Sequence, residues 1–145
     1  EKRQELTTEG GLNVIDNATL IKSTIEELHS SDISVSIFTE PDIPQIDASA
    51  ELGADFIEIH TGVFANALTE EEQFDELERI RGAAKQAKKL GLGVNAGHGL
   101  NYQNIKIFRE LDNIDEVSIG HSIIARALIV GIEEAVKEMI RLIRR

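Results

Sequence analysis

Asp55-Phe56-Ile57-Glu58-Ile59-His60-Thr61-Gly62 is the stretch on which the fold turns. Successive side chains of an extended chain point to opposite faces, so Ile57 and Ile59 share one side and Glu58 and His60 the other. The same division recurs on either side of it. Upstream, Ile33, Val35 and Ile37 alternate with Ser34 and Ser36, and Glu40-Pro41 closes the run; downstream, Val117 and Ile119 oppose Ser118. Leu92-Gly93-Val94-Asn95-Ala96-Gly97 completes a set of four expected strands. An open parallel sheet has helices on both faces, and its strands read as nearly continuous apolar runs. These strands have one apolar face and one small or polar face instead. That pattern suits a closed barrel whose outside packs on helices and whose upper lumen carries functional groups.

Between the strands lie helical patterns over residues 17–29, 43–52, 70–90 and 102–111, followed by two more at 122–130 and 132–145, parted by Gly131. The third carries the plainest signals. Thr69 and Glu72 have capping-box spacing, Phe74, Leu77, Ile80, Ala84 and Ala87 are expected to line one face, and Gly91 ends it. Strands separated by helices imply parallel pairing with right-handed crossovers. The expected fold is therefore α/β, a (β/α)8 TIM barrel. A complete barrel needs about 250 residues, so this chain of 145 residues is expected to supply about its C-terminal half as one unit, residues 1–145. The chain begins without Met inside a charged segment, which reads as a fragment, a processed chain or an extracted domain, with the N-terminal half of the expected barrel absent.

Composition narrows the chemistry. There is no cysteine, which removes disulfides, thiolate metal sites and a cysteine nucleophile together and leaves His, carboxylates, hydroxyls and backbone amides. A formal charge of −11 argues against nonspecific binding to nucleic acid, which needs a basic surface to release counterions. Small anions remain candidates, because the N–H groups of a helix start attract them whatever the net charge. No apolar run approaches the roughly 20 residues of a membrane-spanning helix, and residues 1–5 lack the apolar segment of a secretory signal, so the expected location is cytoplasmic with no membrane partner.

The polar strand faces place the candidate site. Glu58 and His60 point to one side near the end of their strand, where barrel active sites are built. The alternatives are a buried hydrogen-bonded pair with a structural role, or a metal site completed by His98 or His121, although no compact ligand motif is present. Ala96-Gly97-His98-Gly99 holds an imidazole between glycines, with room for a ligand, or forms a simple turn. Gly120-His121-Ser122 ends a strand and starts a short helix, the arrangement with which barrels often bind phosphate; in the alternative, Ser122 is only a helix cap. Residues 1–12, with Thr7-Thr8 and Gly10-Gly11, read as an active-site lid or as an ordinary solvated loop. His29, at the end of a helix, reads as a surface residue favoured by the helix dipole.

Taken in order, Glu1-Lys2-Arg3-Gln4-Glu5, Thr7-Thr8-Glu9-Gly10-Gly11, Phe56-Ile57-Glu58-Ile59-His60-Thr61-Gly62, Val94-Asn95-Ala96-Gly97-His98-Gly99-Leu100 and Ile119-Gly120-His121-Ser122-Ile123-Ile124 resemble the PdxJ family of pyridoxine 5'-phosphate synthases, along the whole chain. The resemblance implies a barrel enzyme of vitamin B6 biosynthesis. It condenses 3-amino-2-oxopropyl phosphate with 1-deoxy-D-xylulose 5-phosphate, releasing pyridoxine 5'-phosphate, phosphate and water, with no metal or organic cofactor. By position it makes His98 the proton donor and Glu58 the carboxylate that stabilises intermediates. Gly99, Gly120 and His121 would hold the aminoketone phosphate, and Thr7 would contact the xylulose phosphate from a closing loop. His60 would support the site from behind, and the protein would be a homo-oligomer, commonly an octamer. The family's other acid-base His and Glu and its phosphate-gripping arginines belong to the first half of the barrel, so this stretch by itself is expected to lack turnover. Two rival readings stand beside this one. The first is another phosphate-binding barrel, an isomerase or aldolase, although no expected strand carries an inward Lys for a Schiff base; the second is a noncatalytic phosphate-binding half-barrel.

Overall fold

The computed structural model describes residues 10–144. The elements run α1 (Ala18–His29), β1 (Ser36–Thr39), α2 (Ile43–Glu51), β2 (Phe56–His60), α3 (Gly62–Asn66), α4 (Glu70–Lys89), β3 (Gly93–Gly97), α5 (Ile105–Phe108), β4 (Glu116–Ser118), α6 (His121–Val130) and α7 (Ile132–Ile143). The four strands form one sheet in the order β1-β2-β3-β4, every pair parallel. A doubly wound sheet reverses its strand order at a switch point. Here each strand lies beside its sequence neighbour, so successive right-handed crossovers put their helices on the same side. The fold is α/β, with the strand order of a TIM barrel over four of its eight strands.

Register aligns the two faces. Ile37 pairs with Ile57 and Ile57 with Val94, while Ile59 pairs with Ala96; Ile37, Ile57, Ile59, Val94 and Ala96 are buried. On the opposite face Phe38, Glu58, Asn95 and Glu116 form one row, and His60, Gly97 and Ser118 the row above it. This second face is less covered: Phe56, Glu116 and Ser118 are exposed and Phe38, Glu58 and Asn95 half-buried. Gly93 is required in it, because a Cβ there would stand 2.0 Å from the Phe56 ring.

The capping box at Thr69 forms as expected. Thr69 Oγ1 accepts from the Glu72 N–H at 3.1 Å, and the Glu72 carboxylate accepts from the Thr69 N–H at 3.2 Å. The buried face of α4 is Leu77, Ile80, Ala83, Ala84 and Ala87. Burial of Ile80 alone is worth about 2–3 kcal/mol. Phe74 departs from the expectation and is 61% exposed, because it lies in the first turns of α4, ahead of the residues that reach the core. From α1, Ile25 fills the core, while Leu20 is 68% exposed.

Three further differences are local. β1 begins at Ser36 rather than Ile33, since Asp32 turns the chain with φ of 57°. The helix expected over 102–111 shrinks to α5, because the Asn101 side chain accepts from the N–H groups of Gln103 and Asn104 and holds a turn there. α3 was not anticipated, since five residues are too few to show a period. Among the described residues, no helix is long and apolar enough to cross a membrane.

Candidate active site

Glu58 and His60 leave β2 on the same face but take different partners. Ser118 Oγ, on β4, donates to Glu58 Oε2 at 3.1 Å. The carboxylate reaches it by crossing β3, and it can cross because residue 97 is glycine: a Cβ there would stand 2.4 Å from Glu58 Oε1 and 3.0 Å from Ser118 Cβ. His60 turns the other way, toward β1, and its Nδ1 lies 2.8 Å from Glu40 Oε1. A structural hydrogen bond between Glu58 and His60 is therefore not what joins them to the fold.

His98 follows β3 with φ of 88°. A residue with a side chain seldom adopts this left-handed backbone, at a cost of about 1–3 kcal/mol, and it persists where surrounding contacts impose it. Thr61 supplies such a contact. Its fully buried hydroxyl lies 2.8 Å from the Gly97 carbonyl and 2.6 Å from the His98 carbonyl, and its N–H also donates to Gly97 at 2.8 Å. Gly99, with φ of 77°, then passes so close to α3 that a Cβ would lie 2.5 Å from the Ala65 methyl. The imidazole of His98 is thus presented by a tethered loop. Its ring centroid stands 5.1 Å from that of His60 and 6.2 Å from that of Phe38.

At the next strand end, Gly120 is the N-cap of α6 and His121 its first residue. No side chain caps this helix; the Ser122 hydroxyl donates instead to the Leu100 carbonyl at 3.0 Å, tying the start of α6 to the loop after β3. Ser122 is accordingly not the cap that the sequence allowed. The first-turn N–H groups carry the partial positive charge of the helix terminus. An open cavity of about 750 Å³ brings together Glu58, His98, Gly99, Gly120 and His121, with Ser118 in its wall.

Thr7 lies outside the described residues. Of the segment read as a lid, the described part, residues 10–12, is bound to β1. Gly11 N–H donates to Glu40 Oε1 at 3.0 Å and Leu12 N–H to the Phe38 carbonyl at 2.8 Å. His29 pairs with Asp55 at 2.8 Å, at the opposite end of the strands from the cavity. Among the described residues, no group of three or more His, Asp or Glu side chains is arranged to hold a metal ion.

Glu40, Thr61, Asn95 and Ser118 belong to this constellation without having been singled out from the sequence. Asn95 stands beside Glu58 in the lumenal row, and its buried side-chain oxygen has no hydrogen-bond partner among the described residues. The parity that selected Glu58 also marks Ser118 and Asn95. Nothing local marks Glu40 and Thr61.

The family model described as pyridoxal phosphate biosynthesis protein PdxJ matches residues 1–145. The chain is 54% identical over 144 residues to the pyridoxine 5'-phosphate synthase of Geobacter metallireducens, an alignment that covers 99% of this chain and 60% of that protein. It is 52% identical over 144 residues to the protein of the same name from Desulforapulum autotrophicum, with 99% and 60% covered, and 52% identical over 144 residues to that of Chlorobium phaeobacteroides, with 99% and 61% covered. The chain thus spans about 60% of the length of these curated relatives.

Proposed function

The chain belongs to the PdxJ family, and from that premise we propose that it forms the C-terminal half of a pyridoxine 5'-phosphate synthase barrel. The reaction is the condensation of 3-amino-2-oxopropyl phosphate with 1-deoxy-D-xylulose 5-phosphate to pyridoxine 5'-phosphate, phosphate and water, a step of vitamin B6 biosynthesis. One observation carries this reading: Glu58, His98, Gly99, Gly120 and His121 share one cavity at the C-terminal ends of parallel strands, where barrel enzymes do their chemistry.

That geometry supports the roles that the resemblance implies. Joining an amine to a ketone and then expelling water and phosphate requires protons delivered to departing oxygens, and His98, projecting from its tethered loop into the cavity, is the donor. Glu58, held across Gly97 by Ser118, faces the positive charge that develops on an imine nitrogen and stabilises it electrostatically. The backbone of Gly99 and Gly120, with His121 at the start of α6, holds the phosphate of the aminoketone. Thr7 contacts the xylulose phosphate from a segment that closes over the site and excludes water, in which an imine would hydrolyse. No metal or organic cofactor takes part.

The same proposal places the protein in the cytoplasm as a homo-oligomer, for which the exposed Ile124, Leu128 and Ile129 on α6 offer apolar surface. It also holds that residues 1–145 by themselves do not turn over, since in the described sheet β1 and β4 each pair on one side only and the lumenal face is open. The test is product formation by the intact protein from the two phosphorylated substrates, repeated with His98→Asn. Pyridoxine 5'-phosphate from the parent and its near-complete loss in the variant are expected. Undiminished product from His98→Asn removes His98 from its role, and no product from the parent removes the assignment.

A further inference from the structure

His60 is buried more deeply than a support for the site requires, with 6% of its surface exposed, and its two ring nitrogens have unequal surroundings. Nδ1 lies 2.8 Å from the Glu40 carboxylate. Nε2 is buried with no hydrogen-bond partner among the described residues and is pressed against Gly62, where a Cβ would come within 2.5 Å of it. A proton on Nε2 would be a buried donor with no acceptor, and Nδ1 would then turn a lone pair toward a carboxylate. A proton on Nδ1 satisfies both groups. The hydrogen-bond network therefore assigns the Nδ1–H tautomer, with Nδ1–H donating to Glu40.

Glu40 is itself fixed, because the Gly11 N–H donates to the same oxygen at 3.0 Å. The ring it holds is wedged against Phe38, with centroids 5.2 Å apart and planes at 67°, and it also stands against His98, with centroids 5.1 Å apart. Among the described residues the His98 ring packs on Phe38 and His60, and of these two rings His60 has its orientation set by a hydrogen bond. Resting on the functional reading above, we propose that Glu40 and His60 are positioning residues for His98: the carboxylate locks the His60 ring, and the locked ring sets the angle at which the His98 imidazole enters the cavity. Neither residue needs to touch substrate. Outer residues that orient an imidazole typically change activity by about 10–100-fold when removed.

Glu40→Ala, Glu40→Gln and wild type are compared in the intact protein. The Glu40 side chain is 41% exposed, so its truncation opens no core cavity. In Glu40→Ala, kcat is expected to fall by about tenfold or more while both KM values stay within about threefold. Glu40→Gln, whose amide oxygen still accepts from Nδ1–H, is expected to recover kcat to within about threefold of wild type. Nitrogen-15 imidazole spectra supply a readout independent of turnover. His60 should carry its proton on Nδ1 in wild type and Glu40→Gln but not in Glu40→Ala, and the His98 ring resonances should move only in Glu40→Ala. A wild-type His60 protonated on Nε2 alone, or His98 resonances unchanged in Glu40→Ala, overturns the proposal. If His98→Asn abolishes turnover while Glu40→Ala leaves kcat intact, positioning fails and the synthase reading stands; if the wild type forms no product, the synthase reading fails and the spectra still decide the positioning.

Discussion

The two ends of the sheet are built on opposite principles. At the N-terminal end, Asp55 and Asp115 clamp the strands from below. Asp55 accepts from the Val35 N–H at 2.7 Å and pairs with His29, and Asp115 accepts from the Val94 N–H at 2.8 Å and pairs with Lys88. The clamp repeats: in each case the carboxylate just before one strand bonds the N–H at or next to the start of the preceding strand in the sheet. Both carboxyls lie below the usual carboxylate value, Asp55 chiefly through the Val35 N–H and then His29, and Asp115 chiefly through Lys88 and then the Val94 N–H. At the C-terminal end the polar groups are not all satisfied in this way. His60 Nε2 and Asn95 Oδ1 are buried without partners among the described residues. Satisfied groups hold a fold together, whereas unsatisfied ones are retained where function needs them.

Substitutions at the two ends should therefore separate turnover from stability. After His98→Asn, the largest effect is expected from Glu58→Gln in the intact protein. The amide keeps the Ser118 bond but not the negative charge, so kcat should fall about 100-fold or more, with the melting temperature unchanged or raised. A variant that keeps its kcat but melts early would make Glu58 a structural residue and erase the contrast. Gly97→Ala comes next, because its Cβ collides with Glu58 Oε1 and approaches the Ser118 carbonyl at 3.1 Å. It should destabilise by about 2–3 kcal/mol and lower turnover as the carboxylate is displaced, both read from denaturant midpoints and steady-state rates on one preparation.

Thr61→Val keeps the shape and removes the hydroxyl that holds the His98 loop. A loss of about 1–2 kcal/mol is expected, since the His98 carbonyl loses its hydroxyl donor while the Gly97 carbonyl keeps the N–H of residue 61, together with a drop in kcat; full activity would mean that the loop holds His98 without it. The smallest effects belong to the other end. Asp55→Asn and Asp115→Asn should each cost about 0.5–1 kcal/mol at neutral pH, toward the low side because both side chains are more than a third exposed, and should leave kcat alone. Their signature is in the pH dependence. A depressed folded-state pKa contributes stability that is present above the ordinary value of 3.8 and is lost as pH falls through the lower folded value. Melting curves taken from pH 6 downward should show the parent losing stability below about pH 4 more steeply than either variant. Equal slopes would show that these carboxylates do not clamp the sheet.

Much of this contrast was legible in the residues themselves. Alternation in Ile57-Glu58-Ile59-His60 separated the helix-covered face from the lumenal one, and the glycines around His98 and before His121 marked the loops that line the cavity. The Thr69–Glu72 capping box located the start of α4 because all its bonds lie within one turn. Phe74 was misjudged because periodicity reports which side of a helix a residue is on, not whether the core extends that far along it. Glu40 was invisible as a partner of His60 because the two are twenty residues apart and only the β1–β2 register brings them into one row.

The sequence by itself therefore determined the local structure and the sidedness of each strand, since dihedral preference and side-chain alternation act within a few residues. Only the tertiary structure decided which side chain meets which: that Glu58 passes over Gly97 to Ser118, that Thr61 holds His98, and that Glu40 holds His60. Those contacts depend on lateral register, which is set when helices pack on one face of the sheet. No short stretch of chain carries it.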